Sequence, residues 1–298
     1  MSAINDRIGA IIVSFNPDER LVTNCRRLLP QVDVVTVIDN GSVAGVRHLK
    51  RVATLPRTAV ILNGRNIGLA AALNVGVRAA VMRCQMLLTF DQDSIAPPTY
   101  VTDLMTAYHG YHGAAPVAIV SPQYRDQATG AMQTFSDCGH TPDCPYALVT
   151  TTITSGSMFV TSVFGEVGMF REDFFIDYVD NEFCLRCRKR GYAILEASRA
   201  VLSHSVGAPR QYRLLWKRPL ASNHAPWRRY YITRNRLIVY RGYLTSFPRW
   251  VIADCFRMLK ELIKIAVYER RRSDQYKWML RGLRDAIRNA MGPIPQVP

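Results

Sequence analysis

The chain has 298 residues, with 38 Lys and Arg against 23 Asp and Glu, for a formal net charge of +15. Hydrophobic residues make up 48% and charged residues 20%, which excludes disordered and fibrous classes and suits one large domain, or one domain with an appendage. Seven irregularly spaced cysteines argue for reduced thiols rather than a disulfide framework.

In chain order, Ile8 to Phe15 reads as a buried strand closed by the turn signal Asn16-Pro17-Asp18. The run is too short to span a bilayer, and Met1 to Arg7 has no signal-peptide pattern, so secretion and a transmembrane anchor are both disfavoured. Glu19 to Leu29 has helical spacing, Val32 to Ile38 is a β-branched strand closed by Asp39-Asn40-Gly41-Ser42, and Ala59 to Leu62 is a short strand. Gly68 to Arg83 is an Ala-rich helix, and Met86 to Phe90 is a strand that ends at Asp91-Gln92-Asp93. This alternation predicts an α/β fold, a mostly parallel sheet with flanking helices, and ligands of such sheets bind at the carboxyl ends of the strands. Those ends carry Asn16, Asp39 and the Asp91–Asp93 pair.

Further on, Thr99 to Tyr108 reads as a helix, Val117 to Val120 as a strand, Arg125 to Tyr146 as loop, and Thr150 to Val160 as β-rich. Asp180 to Arg190 is helical and closes on Gly191, and Tyr192 to Leu195 and Ala200 to Leu202 are two short strands. Long helices follow: Trp227 to Arg241, Arg249 to Arg270 and Gln275 to Ala290. The expected division is a catalytic domain over 1–207 and a basic helical region over 208–298. Up to Ser198 there are 17 basic and 18 acidic residues; beyond it there are 21 and 5. Such asymmetry points to a polyanion or an anionic membrane surface, and the plainer alternative is a solvated basic face.

Three groups of residues could carry chemistry. Asp91 and Asp93 offer hard oxygen ligands that suit Mg²⁺ or Mn²⁺ beside a diphosphate, or else form a solvent-facing turn. Asn66-Ile-Gly68, followed by Asn74-Val-Gly76, opens a helix whose free N–H groups favour phosphate, or its glycines serve only close packing. No Gly-x-Gly-x-x-Gly follows the first strand, which disfavours a nicotinamide enzyme. Asp177, Asp180, Asn181 and Glu182 crowd the start of a helix, where a carboxylate can cap the helix or serve as a general base. His204 follows a short strand. Cys184 and Cys187 lie inside a helical pattern without a second pair, which argues against zinc.

Taken together and in order over about residues 8–207, these segments resemble the inverting glycosyltransferases of family 2, which share the nucleotide-sugar-binding fold called GT-A. Leu88 to Ser94, Phe175 to Glu182 and His204-Ser-Val-Gly207 look most like the bacterial dTDP-rhamnose-dependent rhamnosyltransferases of surface-polysaccharide assembly. The resemblance implies that Asp39 meets the nucleobase edge and Asp91 the ribose or metal shell. Asp93 and His204 would hold Mg²⁺ or Mn²⁺, and Asp180 would be the catalytic base. Ser14, Asn16, Asn66, Gly68, Asn74 and Gln92 would be further donor contacts. Val179 stands where the family commonly has Glu, which leaves open whether Asp177 or Glu182 supplies a second carboxylate on the acceptor side. Arg234 and Asn235 would meet the diphosphate of a lipid-linked acceptor. The expected partners are a nucleotide-sugar donor (dTDP-rhamnose), a saccharide or polyprenyl-diphosphate-linked acceptor, an anionic membrane surface and a second subunit, but not nucleic acid. The expected location is cytoplasmic, peripheral on the inner face of the membrane. The alternatives are transfer from a UDP-sugar by the same mechanism, or a non-enzymatic polyanion-binding protein that uses the basic region.

Overall fold

The structure is a computed structural model that describes residues 7–126, 130–135, 144–204, 210–211, 220–221, 225–268 and 272–294. Its first part alternates β1 (Ile8–Ser14), α1 (Glu19–Leu28), β2 (Val34–Asp39), α2 (Val46–Ala53), β3 (Thr58–Leu62), α3 (Leu69–Ala80), β4 (Met86–Asp91) and α4 (Tyr100–His109). Next come β5 (Val117–Asp126), β6 (Met132–Gln133), β7 (Tyr146–Leu148), β8 (Met158–Val160), α5 (Ser162–Glu166), α6 (Val179–Lys189) and β9 (Ala193–His204). A two-stranded ribbon, β10 (Arg210–Gln211) with β11 (Leu220–Ala221), precedes the helices α7 (Pro226–Tyr243), α8 (Pro248–Tyr268) and α9 (Arg272–Ile287).

The main sheet runs β3-β2-β1-β4-β8-β5-β9-β7, with β6 paired to β5. β3, β2, β1 and β4 are parallel, and β8 enters antiparallel between β4 and β5. The inner parallel strands β2, β1 and β4 are near-continuous apolar runs because helices cover both faces; β1 is buried at five of its seven positions, whereas the edge strand β3 has none fully buried. α1 starts where the Asp18 side chain accepts from the Arg20 N–H, and it carries Glu19 in its first turn and Arg26 and Arg27 in its last, as the helix dipole favours. α3 lies close on β1 at Gly76, where a Cβ would stand 2.5 Å from Ile11 Cγ2.

Three local expectations change. Only Met158–Val160 of the 150–160 stretch is a strand, because side chains there hold turns: Thr89 donates to the Thr154 carbonyl and Ser157 to that of Ile153. The two short strands over 192–202 are one strand, β9, with register irregularities against β5. Within the stretch read as loop, residues up to Asp126 continue β5, and β6 and β7 are short strands.

The chain forms two compact units: Met1–Glu172 with Phe183–Ser205, and Asp173–Glu182 with Val206–Pro298. The segment that bears Asp177, Asp180 and Glu182 therefore goes with the C-terminal helices. That unit has a small aromatic core of its own, Phe175, Tyr230, Tyr231 and Ile294.

Candidate active site

In the N-terminal unit, the parallel register puts Ser14 of β1 opposite Asp39 of β2, and Val13 opposite Asp91 of β4. Three polar side chains thus share the carboxyl edge of the sheet, where the chain passes from β1 to neighbours on either side. Asp39 is buried; it accepts from the Ser42 backbone N–H at 3.1 Å, from the Ser42 hydroxyl, and weakly from Ser14 Oγ at 3.5 Å. A carboxylate has about four lone-pair directions, so these bonds leave one for a ligand.

The loops around this edge are built by amides. Asn16 has a left-handed backbone, φ 49°, and its Oδ1 accepts from the N–H groups of Val43 and Ala44, both at 2.9 Å. Gln92 clips the backbone of Phe15, accepting from its N–H at 2.9 Å and donating to its carbonyl at 3.2 Å. Asn66 Oδ1 accepts from the Gly68 N–H and from Asn40 Nδ2, both at 3.0 Å. Gly68 precedes α3 at φ 90°, a conformation that side-chain-bearing residues disfavour, and it presents the open N–H groups of the first turn. Asn40 and Ser42 are legible in sequence as the turn that closes the second strand but not as groups that fix Asp39 and Asn66; the Asp39-x-x-Ser42 spacing of a side-chain-capped turn is the signal for that.

Asn74 has a different place from the donor contact expected of it. It is fully buried, and its amide accepts from the Phe170 N–H at 3.0 Å and donates to the Phe170 carbonyl and to Glu172, both at 2.9 Å. With Arg78, these bonds hold the Glu172 carboxyl below its ordinary pKa. Asn74 therefore ties α3 to the segment that leads out of this unit.

Asp93 sits beyond the end of β4, partly exposed, 3.6 Å from Arg20. The Asp91 N–H is fixed by Ser155 Oγ at 3.1 Å. Among the described residues no cluster of three or more His, Cys, Asp or Glu forms a ready cage. An all-oxygen pair of carboxylates at a strand end fits Mg²⁺ or Mn²⁺, which take one or two carboxylates and fill the remaining positions from phosphate and water. His204 closes β9, and its side chain lies outside the described residues.

The C-terminal unit holds the second group. Asp180, half-buried in the first turn of α6, accepts from its neighbour Asn181 at 2.8 Å (N–H) and 3.3 Å (Nδ2). Before it runs a loop in which Phe175, Asp177 and Tyr178 all have left-handed backbones, with φ of 65°, 64° and 63°. Such residues cost of order 1–3 kcal/mol each and persist only where the surroundings over-determine them. Here three consecutive residues of α7 do so. Asn235 Nδ2 donates to the carbonyls of Phe174, Ile176 and Asp177 at 3.0, 2.9 and 2.9 Å. Arg234 donates to the carbonyls of Asp173, Phe174 and Gly292 at 3.0, 3.2 and 2.6 Å, and it lies over the Tyr230 and Tyr231 rings. Arg236 bonds the Tyr178 hydroxyl, which also donates to Asp254 at 2.7 Å. Burial pushes the Tyr178 hydroxyl well above its ordinary pKa.

Three acceptor-side expectations therefore change. Arg234 and Asn235 are fully buried and spend their donors on the loop's carbonyls, so they serve the loop rather than an acceptor. Glu182 is buried and receives the Tyr243 hydroxyl at 2.9 Å. Asp177 is mostly buried in a two-pronged pair with Arg228, with contacts of 2.8–3.1 Å. Of the four, only Asp177 retains some access to solvent.

Residues 10–167 match the sequence profile of Glycosyl transferase family 2. The chain belongs to that family. Glycosyl transferase family 2 membership makes it an enzyme of glycosyl transfer. A curated relative, dTDP-rhamnosyl transferase RfbF of Shigella flexneri, is 28% identical over 97% of this chain and 98% of its own length. Among solved structures, a fragment of S. aureus TarS in complex with UDP-GlcNAc is similar with a TM-score of 0.65 and 12% identity, over 95% of this chain and 81% of that one. GalNAc-T7 with UDP, GalNAc and Mn²⁺ is similar with a TM-score of 0.61 and 12% identity, and this chain spans 56% of its length. At such identities the structural likeness shows the shared GT-A fold alone.

Proposed function

We propose that this glycosyltransferase moves L-rhamnose from dTDP-rhamnose, with inversion, onto a hydroxyl of a saccharide acceptor carried on polyprenyl diphosphate, in bacterial surface-polysaccharide assembly. The observation that carries this reading is the end-to-end match, at 28% identity, to a relative named for dTDP-rhamnosyl transfer. The chemistry of the residues agrees with it. Asp39, with one lone-pair direction left, accepts from the N3–H of thymine, and Ser14 orients that carboxylate. Asn16 and Gln92 shape the loops that border the base, and Asn66 shapes the turn at Gly68, whose following N–H groups face phosphate charge.

Asp91 and Asp93, with His204, are the groups that would hold Mg²⁺ or Mn²⁺; when bound, the ion neutralises the diphosphate and makes it a better leaving group. Asp180 takes the proton of the acceptor hydroxyl as that oxygen attacks the anomeric carbon from the face opposite the diphosphate. The new C–O bond forms as the bond to the diphosphate breaks, and dTDP leaves with the electron pair. One base suffices because no covalent sugar–enzyme intermediate forms.

Incubating the purified chain with dTDP-rhamnose and a panel of UDP-sugars, and measuring nucleoside diphosphate release with acceptor present, tests the donor. Release from dTDP-rhamnose alone is expected; turnover of a UDP-sugar without turnover of dTDP-rhamnose overturns the assignment. Asp180→Asn is expected to lower turnover by at least about 100-fold while calorimetric binding of dTDP stays near wild type. Retained turnover removes Asp180 from the role of base.

A further inference from the structure

Helix α8 presents an apolar face that the rest of the described chain leaves uncovered. Ile252, Phe256, Leu259, Ile263 and Val267 follow one another at steps of three and four, which puts them on one side of the helix. They are 49–61% exposed. The stripe runs about 22 Å along the axis at 1.5 Å per residue.

Charge decides what fits it. α8 contains two acidic residues, and both are engaged: Asp254 is buried and paired with Arg236 of α7 at 3.1 Å and with Arg257 of α8 itself at 2.9 Å, and Glu261 pairs with Arg229 and Arg236 at 3.1 and 3.0 Å. Arg249, Arg257, Lys260 and Lys264 are exposed. At 100° per residue, Arg249 falls within the stripe and the other three fall along one flank of it. The outward side of α8 is therefore apolar with a cationic edge and no carboxylate. In a twofold contact with a second copy, the same face meets itself, and the basic edges find no acid there. No described helix is long and apolar enough to cross a membrane, so the pattern suits a helix that lies on a surface.

We propose that this face of α8 docks on an anionic lipid surface, with the five apolar side chains entering the boundary between headgroups and acyl chains and Lys260 and Lys264 against the headgroup phosphates. The docking is independent of which sugar is moved.

Flotation of the full chain with phosphatidylcholine vesicles, with and without phosphatidylglycerol, tests it. The chain is expected to float with the anionic vesicles and to be released as salt rises. Lys260→Ala with Lys264→Ala is expected to weaken partitioning by about 25-fold, at about fivefold per charge close to an anionic leaflet. Phe256→Ser with Ile263→Ser is expected to weaken it by more than about tenfold. All four positions are exposed, so circular dichroism and melting of both variants are expected to match wild type. A wild-type chain that stays in solution with anionic vesicles overturns the proposal, as do variants that bind like wild type. Light scattering covers the rival occupant: a dimer that Phe256→Ser with Ile263→Ser breaks, in a chain that ignores vesicles, assigns the face to a second copy.

Discussion

Replacing Asn235 by Ala removes the donor that three carbonyls of the 174–177 loop share. The amide has only two hydrogens, so the bonds are partly bifurcated, and the same substitution takes away the Oδ1 that accepts from Arg234 Nε at 3.0 Å. With each lost buried hydrogen bond worth about 1 kcal/mol, the variant loses about 3 kcal/mol. Melting should fall by roughly 6–12 °C, at about 2–4 °C per kcal/mol for a protein somewhat smaller than this one. The loop then has a reason to leave its conformation, because Phe175, Asp177 and Tyr178 relax when nothing pins them left-handed. Asp180 follows that loop by two residues, so its displacement appears in kcat, at about 100-fold for a shift near 1 Å. Donor KM should stay within about twofold, since the predicted donor residues lie in the other unit. Asn235→Asp keeps the volume but turns the donors into acceptors that face carbonyl oxygens, and it should do at least as much damage. Wild-type melting and kcat in either variant would refute the clamp; a raised donor KM at unchanged kcat would move Asn235 to donor binding.

Asp93→Ala should abolish the Mn²⁺-dependent part of dTDP binding in calorimetry while metal-free binding persists; an unchanged metal dependence removes Asp93 from the ion. Burial pushes the Asp254 carboxyl up, but the charge of Arg236 and hydrogen bonds from Tyr178, Tyr240 and Arg257 outweigh it, so its pKa lies below the ordinary value. A carboxyl depressed on folding stabilises the protein fully above its unfolded pKa of about 3.9, and that contribution is lost as pH falls through the folded value. Asp254→Asn should therefore cost roughly 3–5 kcal/mol at neutral pH, for a broken buried pair. Urea melts of variant and wild type should begin to converge as pH falls below about 4; a constant gap down to about pH 2 contradicts the linkage. Gly76→Ala places a Cβ 2.5 Å from Ile11 and should cost roughly 1–3 kcal/mol. The cost should shrink in an Ile11→Ala background, and equal penalties in both backgrounds refute the contact.

The parallel half of the sheet was legible because its strands are unbroken apolar runs closed by Asn, Asp and Gly, and that pattern survives without tertiary information. Helix α2 escaped notice: it is eight residues long, starts at a left-handed Gly45 without a side-chain cap, and is rich in Arg and Lys. Strand β9 was split because Glu196 interrupts its apolar pattern; in the fold Glu196 is buried and accepts from Thr134 and the Phe135 N–H. The site was read with the same strength and the same blind spot. Strand-end topology points to Asp39, Asp91 and Asp93 directly. Asn74, Glu182, Arg234 and Asn235 were grouped with them because a polar side chain that meets substrate and one that meets its own backbone look alike in sequence. What separates them is burial without a substrate, and only the fold supplies that.

Three of the arginines that make the C-terminal part so basic, Arg229, Arg234 and Arg236, are almost wholly out of water. A composition count treats them as part of an electrostatic field, but a counterion in solution cannot reach them. Arg229 and Arg236 are matched by Glu261 and Asp254, acids already counted in the +15, so the charge that a counterion meets belongs to the outer lysines and arginines. The outer lysines and arginines can be exchanged to tune solubility or adhesion without disturbing the helices, whereas these three behave as framing timber: each removed one takes a piece of the architecture with it.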